Sequence, residues 1–515
     1  MKTYKTQGVL LFTLLLLLVS CGKRSYTVPA SFTEADSVAP LYPDYTDITI
    51  PANIAPLNFS LRESSPTEVV AELTGSQGGK LVAGGGKDLK VIMDSLQWRT
   101  LLEQNRGGDI KVAIYAHFPS GWVRYKTHTL TVAREDIDPY LSYRLIEPGY
   151  ELYRQLGLYQ RNLTNFEELP IYENNRTFSD KDNHCVNCHN YQNYSTRRML
   201  FHVRARHGGT VIVEDDKAEK VQIKGDSILT AGVYPSWHPT LPLIAFSTNK
   251  TGQAFHMYHP EKIEVIDEAS DLLLYNAERN EVSLILNDST EYETFPCWSP
   301  DGRWLYYCAA SEPAVPEGVQ LPDSIDPDRR RVMFFESFYY DIRRLPFNEK
   351  SGTFGSPETV VDCRSRHRSA SFPRVSPDGR YLLFAEGDYG QFHIWHRSSD
   401  LYVKDLQNDS IYALAAANSE DVDSYHSWSS NGRWIVFSSR RMDGNYTRLF
   451  ITYFDQKGQA RKAFCLPQGD PEHNVLLLKS YNVPELTRDA VRVTEQTLRK
   501  CIYNTEGTTA TFKKR

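Results

Sequence analysis

The sequence has no long run of lysine or arginine and no basic excess. Its 58 Lys and Arg stand against 64 Asp and Glu, a formal charge of −6. That argues against nucleic acid as a partner, because phosphate backbones are held by clustered cations. Methionine is scarce, at 6 residues, while tyrosine reaches 31 and tryptophan 8. A chain rich in aromatics and punctuated by Gly and Pro leans towards β structure. With 41% hydrophobic and 24% charged residues, the composition excludes a disordered chain, a collagen and a polytopic membrane protein. Hydrolase signatures are missing: there is no Gly-x-Ser-x-Gly, no His-Glu-x-x-His and no Walker loop. Gly84-Gly85-Gly86-Lys87 fails as a phosphate loop because Asp88 follows where Ser or Thr is needed, and it reads as a hairpin turn.

Lys2 and Lys5 precede an apolar run from Val9 to Val19, and no acid lies in the first 20 residues. Removing those two positive charges takes the remainder from −6 to −8. The apolar run is too short to span a bilayer and reads as a secretory signal. It ends in Leu18-Val19-Ser20-Cys21, which resembles the lipobox of bacterial lipoproteins. The resemblance implies cleavage before Cys21, lipidation of its thiol and stable anchoring by several acyl chains. Gly22 in place of Asp, by the same resemblance, points to the outer membrane, facing the periplasm. A plain secretory helix with an incidental Cys is the alternative.

The rest divides by composition. Residues 21–44 are rich in Ser, Thr, Pro and Ala and read as a tether. Residues 45–136 alternate apolar and polar positions in short runs, as in a β-sandwich, with one helix at Asp94–Gln104. Residues 137–198 are Tyr-rich and without strand alternation; they read as a connector, with a helix over Tyr150–Leu163. From 199 to 467 a repeat appears. Ser236-Trp237-His238-Pro239, Cys297-Trp298-Ser299-Pro300-Asp301-Gly302-Arg303, Arg374-Val375-Ser376-Pro377-Asp378-Gly379-Arg380 and Ser427-Trp428-Ser429-Ser430-Asn431-Gly432-Arg433 align without gaps. Each is a strand, a tight turn needing positive φ, and a second strand. Further strand-like runs follow each hairpin, so the unit is a four-stranded propeller blade. The spacings of 61, 77 and 53 residues exceed the ~40–45 of a compact blade, so insertions are expected, Ser311–Arg331 first among them. Met199–Val213 is expected to form a degenerate blade and Thr447–Leu466 to complete the circle. Residues 468–515 form a tail with a helix at Thr487–Cys501.

The Trp-Ser-Pro-Asp-Gly-Arg repeats resemble those of the TolB family, and more distantly those of prolyl-oligopeptidase propellers. The resemblance covers about half the chain and implies architecture, not activity. The expected fold is mainly β: an N-terminal β-sandwich, a haem-binding connector and a C-terminal β-propeller of about six blades.

One motif carries chemistry. His184-Cys185-Val186-Asn187-Cys188-His189 contains Cys-x-x-Cys-His, the attachment signature of c-type haem. Two thiols three positions apart reach two vinyl groups of one porphyrin, and His189 would be the proximal iron ligand. The expected cofactor is one covalent haem c on Cys185 and Cys188. A disulfide or redox pair, or a zinc site lacking its second Cys-x-x-Cys, are the alternatives. For the distal ligand, His202 and Met199 are the first candidates, His202 ahead, with His184, His207, His256 and His259 as further ones. His202 and Met199 face opposite sides of a strand, so at most one can serve. Arg204, on the His202 face, could pair with a haem propionate. Electron transfer or redox sensing follows, with an unidentified redox partner or envelope protein at the propeller; the reading is of an electron carrier or binding protein, not an enzyme. The alternative is a TolB-like interaction scaffold without a redox role.

Overall fold

In this computed structural model the described residues are 25–147, 156–174, 184–225, 228–259, 261–313, 315, 317–322, 325–504 and 506–514. The fold is mainly β, and six sheets of four or five strands form the blades of a propeller. Blades 3 to 6 open on the strands Val233–Trp237, Glu291–Trp298, Ser369–Val375 and Asp423–Trp428. Each then runs outward through antiparallel neighbours. Blade 2 opens on His184–Gln192 and continues through Ser195–Ala205, Gly209–Glu214 and Lys217–Gln222. Blade 1 is built from Tyr140–Ile146, Gly157–Asn162 and Glu168–Glu173.

The innermost strand of blade 1 comes from the far end of the chain. Ser480–Thr487 pairs antiparallel with Tyr140–Ile146, from Tyr140 opposite Thr487 to Ile146 opposite Ser480. This strand closes the ring. After it, the helix Glu495–Asn504 buries Leu498, Cys501 and Ile502 in the core shared by blades 1 and 2. Thr508–Thr509 and Thr511–Phe512 then add parallel strands to the outer edges of blades 2 and 3. Edges that would otherwise offer unpaired backbone are thereby covered.

The repeated turn is built as its residues require. Ser299, Ser376 and Ser429 accept a backbone N–H from Trp304, Tyr381 and Trp434 at 2.9–3.0 Å through their hydroxyls. The same hydroxyls donate to Asp301, Asp378 and Asn431 at 2.6, 2.5 and 2.7 Å. Only the glycines take positive φ, +70°, +75° and +67° for Gly302, Gly379 and Gly432. These are four-residue turns with a left-handed final Gly, not two-residue turns with two left-handed positions.

The N-terminal domain is a seven-stranded sheet and a three-stranded sheet sharing one core, with the helix Ser95–Gln104 capped by Asp94. That core continues into the propeller through Leu141, Leu383, Trp428, Trp434 and Phe450. Asp138 fixes the junction by accepting from the backbone N–H and hydroxyl of Ser430, both at 2.6 Å.

Four sequence expectations change. Residues 137–198 are not a connector: their strands build blade 1 and open blade 2. Gly157–Asn162 is a strand where a helix over Tyr150–Leu163 was expected, and residues 148–155 lie outside the described residues. The stretch read as a tether contributes Thr33–Val38, paired parallel with Gly121–Lys126. The circle is completed by Ser480–Thr487; Thr447–Leu466 instead supplies the outer strands of blade 6.

Removing residues 480–515 is expected to abolish the cooperative melt, because the inner edge of blade 1 is then unpaired along Tyr140–Ile146. Removing only 506–515 is expected to leave that melt in place at a lower temperature. Circular dichroism during heating checks both; a cooperative melt at the intact chain's temperature after the larger cut would contradict closure by this strand.

Candidate functional site

Each innermost strand carries a bulge in which one residue is left-handed. The residues are Cys188, Tyr234, Phe295, Phe372, Tyr425 and Val483, with φ of 54°, 48°, 53°, 54°, 46° and 51°. Strand pairing slips at each of these places. An added residue re-aims its neighbours, as bulges do. Four ring residues form a continuous aromatic arc: Tyr234 to Phe295 at 4.5 Å, Phe295 to Phe372 at 4.2 Å and Phe372 to Tyr425 at 4.7 Å between centroids. Cys188 and Val483 fill the other two places with smaller side chains. In four blades a proline follows the ring residue: Pro235, Pro296, Pro373 and Pro484. In blades 2 and 6 it is a histidine, His189 and His426.

These strands enclose a cavity of about 830 Å³. Cys185, Cys188 and His189 all line it. Both cysteines are free thiols. Cys185 is buried where the cavity meets the core between blades 1 and 2. Burial raises its thiol pKa, and the Arg204 and Arg144 guanidiniums pull the other way. His189 is 4% exposed, and neither ring nitrogen has a hydrogen-bond partner among the described residues. Its Nε2 lies 4.0 Å from Glu485 Oε2, too far for a hydrogen bond. Burial, with the Arg144 charge, pushes His189 down to about 3. The imidazole is therefore neutral at ordinary pH and keeps a lone pair. Chemically, the wall offers two thiols able to form thioethers and one unengaged nitrogen ligand.

The structure does not bring the two distal candidates to this cavity. Met199 is fully buried with Phe201 and Val203 in the core between blades 1 and 2. His202 is buried beside Thr210, 3.4 Å from its hydroxyl, and burial pushes it to about 3. Neither lines the cavity. The two do take opposite faces of their strand: Leu200, two residues from His202, joins a different core from Met199. His184 meets the Tyr172 hydroxyl at 2.8 Å and stacks edge-on to His207, away from the cavity. His256 and His259 lie side by side, 5.2 Å apart, at the tip of a long hairpin of blade 3. Arg204 does line the cavity. Cys21 lies outside the described residues. Among the described residues, no group of three or more His, Cys, Asp or Glu is placed to hold a bare metal ion. No helix there is long and apolar enough to cross a membrane.

Sequence reasoning missed His426. It lines the same cavity, and its Nε2–H donates to the Phe372 carbonyl at 2.7 Å, leaving Nδ1 without a partner. The signal was in the repeat: Tyr425-His426 occupies the register of Cys188-His189 and of Phe295-Pro296. Glu485 was also missed. It accepts from Tyr191 N–H and the Asn190 amide, each at 3.1 Å, and burial raises it to about 8.

No known protein family matches the sequence, and no curated protein does. Among solved structures, the chain is similar to TolB from Acinetobacter baumannii, with 13% identity and a TM-score of 0.41 over 73% of this chain and 78% of that one. It is also similar to prolyl oligopeptidase B from Galerina marginata, with 8% identity and a TM-score of 0.36 over 63% of this chain and 44% of that one. A third is an oligogalacturonate lyase from Vibrio parahaemolyticus, at 12% identity and a TM-score of 0.31, over 62% and 92%. The strand order itself defines the class, a six-bladed β-propeller with an N-terminal β domain.

Glu485 sets a pH dependence. Its carboxyl pKa is raised in the fold, so the native state holds a proton that the unfolded chain releases above about pH 4.5. Its contribution is therefore complete at low pH and is lost as pH rises towards about 8. Glu485→Gln is expected to flatten the stability profile between pH 5 and 8, by an amount on the order of a few kcal/mol. Urea unfolding at several pH values checks this; a slope unchanged by the substitution would contradict it.

Proposed function

We propose that the propeller cavity holds one haem c, attached through Cys185 and Cys188 with His189 towards the iron, and that the protein passes or senses electrons. One observation carries the reading: two free thiols and a buried imidazole with no partner open on a single cavity. An imidazole with two orphaned nitrogens is costly to bury, and a bond at one of them offsets that cost. The large cavity and its aromatic wall suit a planar apolar group.

The bound iron would supply one-electron chemistry. The chain's own residues do the rest. Cys185 and Cys188 would hold the group through two thioethers, each formed by adding S–H across a vinyl C=C, sulfur to one carbon and hydrogen to the other, with no oxidant consumed. His189 stays neutral, so its lone pair is available without deprotonation. The aromatic arc from Tyr234 to Tyr425 keeps water from that side. The signal sequence ending at Cys21 supports export and lipid anchoring in the cell envelope, where an envelope redox protein would be the partner.

A second reading, an envelope interaction scaffold without a redox role, has one feature in its favour. The long hairpin of blade 3 leaves Met257 83% and Tyr258 95% exposed beyond its paired strands. Exposed apolar side chains at such a tip suit contact with another protein.

The test is a haem stain and visible spectrum of protein made with a cytochrome c maturation system. The wild type is expected to stain after denaturation, Cys185→Ala/Cys188→Ala to lose the stain, and His189→Ala to keep the stain with a changed spectrum. Met199→Leu and His202→Ala are expected to leave the spectrum unchanged. An unstained wild type would leave the scaffold reading.

A further inference from the structure

Exposed apolar side chains gather where the chain passes from blade 6 to the closing strand. Val475, Leu476 and Leu478 are all exposed, Leu476 to 74%, and Lys479 follows them. Leu477 turns the other way and packs against the core that the N-terminal domain shares with the propeller. Arg448 pins the segment, donating to the carbonyls of Asn474, Leu477 and Lys479 at 2.8, 2.7 and 2.6 Å. The three outward side chains are therefore held in place by the fold.

The N-terminal domain sets two more beside them, Ile92 and Leu96, the latter also 74% exposed. Asn58 joins the two segments. Its Oδ1 accepts from Met93 N–H at 3.0 Å, and its Nδ2 donates to the carbonyls of Gln468 and Gly469 at 3.2 and 3.0 Å. Lys90 pairs with Asp470 and Arg62 with Glu472, each at 2.8 Å, so these charges at the junction are met in pairs.

The start of the described chain comes to the same edge. Thr33–Val38 lies beside Gly121–Lys126, Phe32 meets the Tyr115 ring at 5.2 Å, and Tyr26 covers Gly84. Residues 26–32 thus cross the seven-stranded sheet on the face turned away from the domain core. They arrive at Lys80–Gly85, which pairs on one side only and is an edge strand. Gly85 of that strand lies so close against the Lys90 backbone that no Cβ would fit. Five residues of chain lead from Tyr26 back to Cys21, a reach of at most about 17 Å.

We propose that Ile92, Leu96, Val475, Leu476 and Leu478 rest on the lipid bilayer beside the anchor, as a second contact that fixes how the propeller stands on the membrane. The inference rests on lipid anchoring at Cys21 and not on the haem. Grouped exposed apolar side chains mark contact surfaces, and they enter the headgroup boundary when an acyl anchor holds them there. Lys479 at the end of the run places an ammonium where lipid phosphates lie. A partner protein or a second copy would also cover such a patch, but neither accounts for its lying within reach of the anchor.

The test uses the full mature chain, lipidated at Cys21, in vesicles of phosphatidylethanolamine with phosphatidylglycerol as the minor component. Leu476→Cys, Ile92→Cys and Lys350→Cys each take an environment-sensitive fluorophore, and the unsubstituted chain treated alike gives the background from native thiols. Positions 476 and 92 are exposed, so a label there displaces no packed side chain. Lys350 lies in an exposed turn of blade 4, across the ring from blade 1. Nitroxide-bearing lipids are expected to quench the labels at 476 and 92 roughly threefold more than the label at 350. Quenching no stronger than at 350 overturns the inference. Shielding of both labels already complete without vesicles also overturns it, and assigns the patch to a second copy of the chain. The anchor is checked apart from the patch, by the mass of the N-terminal peptide from protein of its own organism. Acylated Cys21 without selective quenching sinks the patch alone, whereas unmodified Cys21 sinks the anchor and the patch with it.

Discussion

The geometry of the site depends on one backbone constraint: a left-handed residue at the same place in all six innermost strands. A regular strand would send Cys185 and Cys188 to opposite faces, since side chains alternate. The slip between Asn187 and Asn190 breaks that alternation, and both thiols line the cavity. The same device in the other blades supplies the aromatic arc opposite them. None of the six is a glycine, so each place carries a conformational cost that the surrounding sheet must hold. The closing strand matters for the same reason, because Val483 and Glu485 complete the wall beside Cys188 and His189.

What the sequence revealed follows from which blades are made of consecutive hairpins. Blades 4, 5 and 6 each join their first two strands through a Ser-x-Asp/Asn-Gly turn, whose hydroxyl and left-handed Gly leave a signature. Blade 3 keeps only Trp237-His238-Pro239 of it. Blade 2 turns instead through Asn193 and Tyr194, both at positive φ, and the signature is lost. Blade 1 has no such turn at all, because its innermost strand arrives from residue 480 onward. Hence residues 137–198 read as a connector, although their strands pair as regularly as those of the later blades.

The candidate site was legible by motif and illegible by neighbourhood. Cys185, Cys188 and His189 announce themselves through their spacing. His426 and Glu485 do not, for they reach the cavity only through the closed ring, hundreds of residues downstream. Met199 and His202 lie away from the cavity because adjacency along a strand puts residues into the cores between blades, while the cavity is reached across blades. Arg204 lines the cavity because it pairs directly with Cys185 in the register of blade 2.

The account is tested most directly by tandem mass spectrometry of the peptide spanning Cys185 and Cys188, taken from protein of its own organism. It predicts a single peptide bearing one haem through both sulfurs. Unmodified sulfurs, or sulfurs joined to each other, would contradict it.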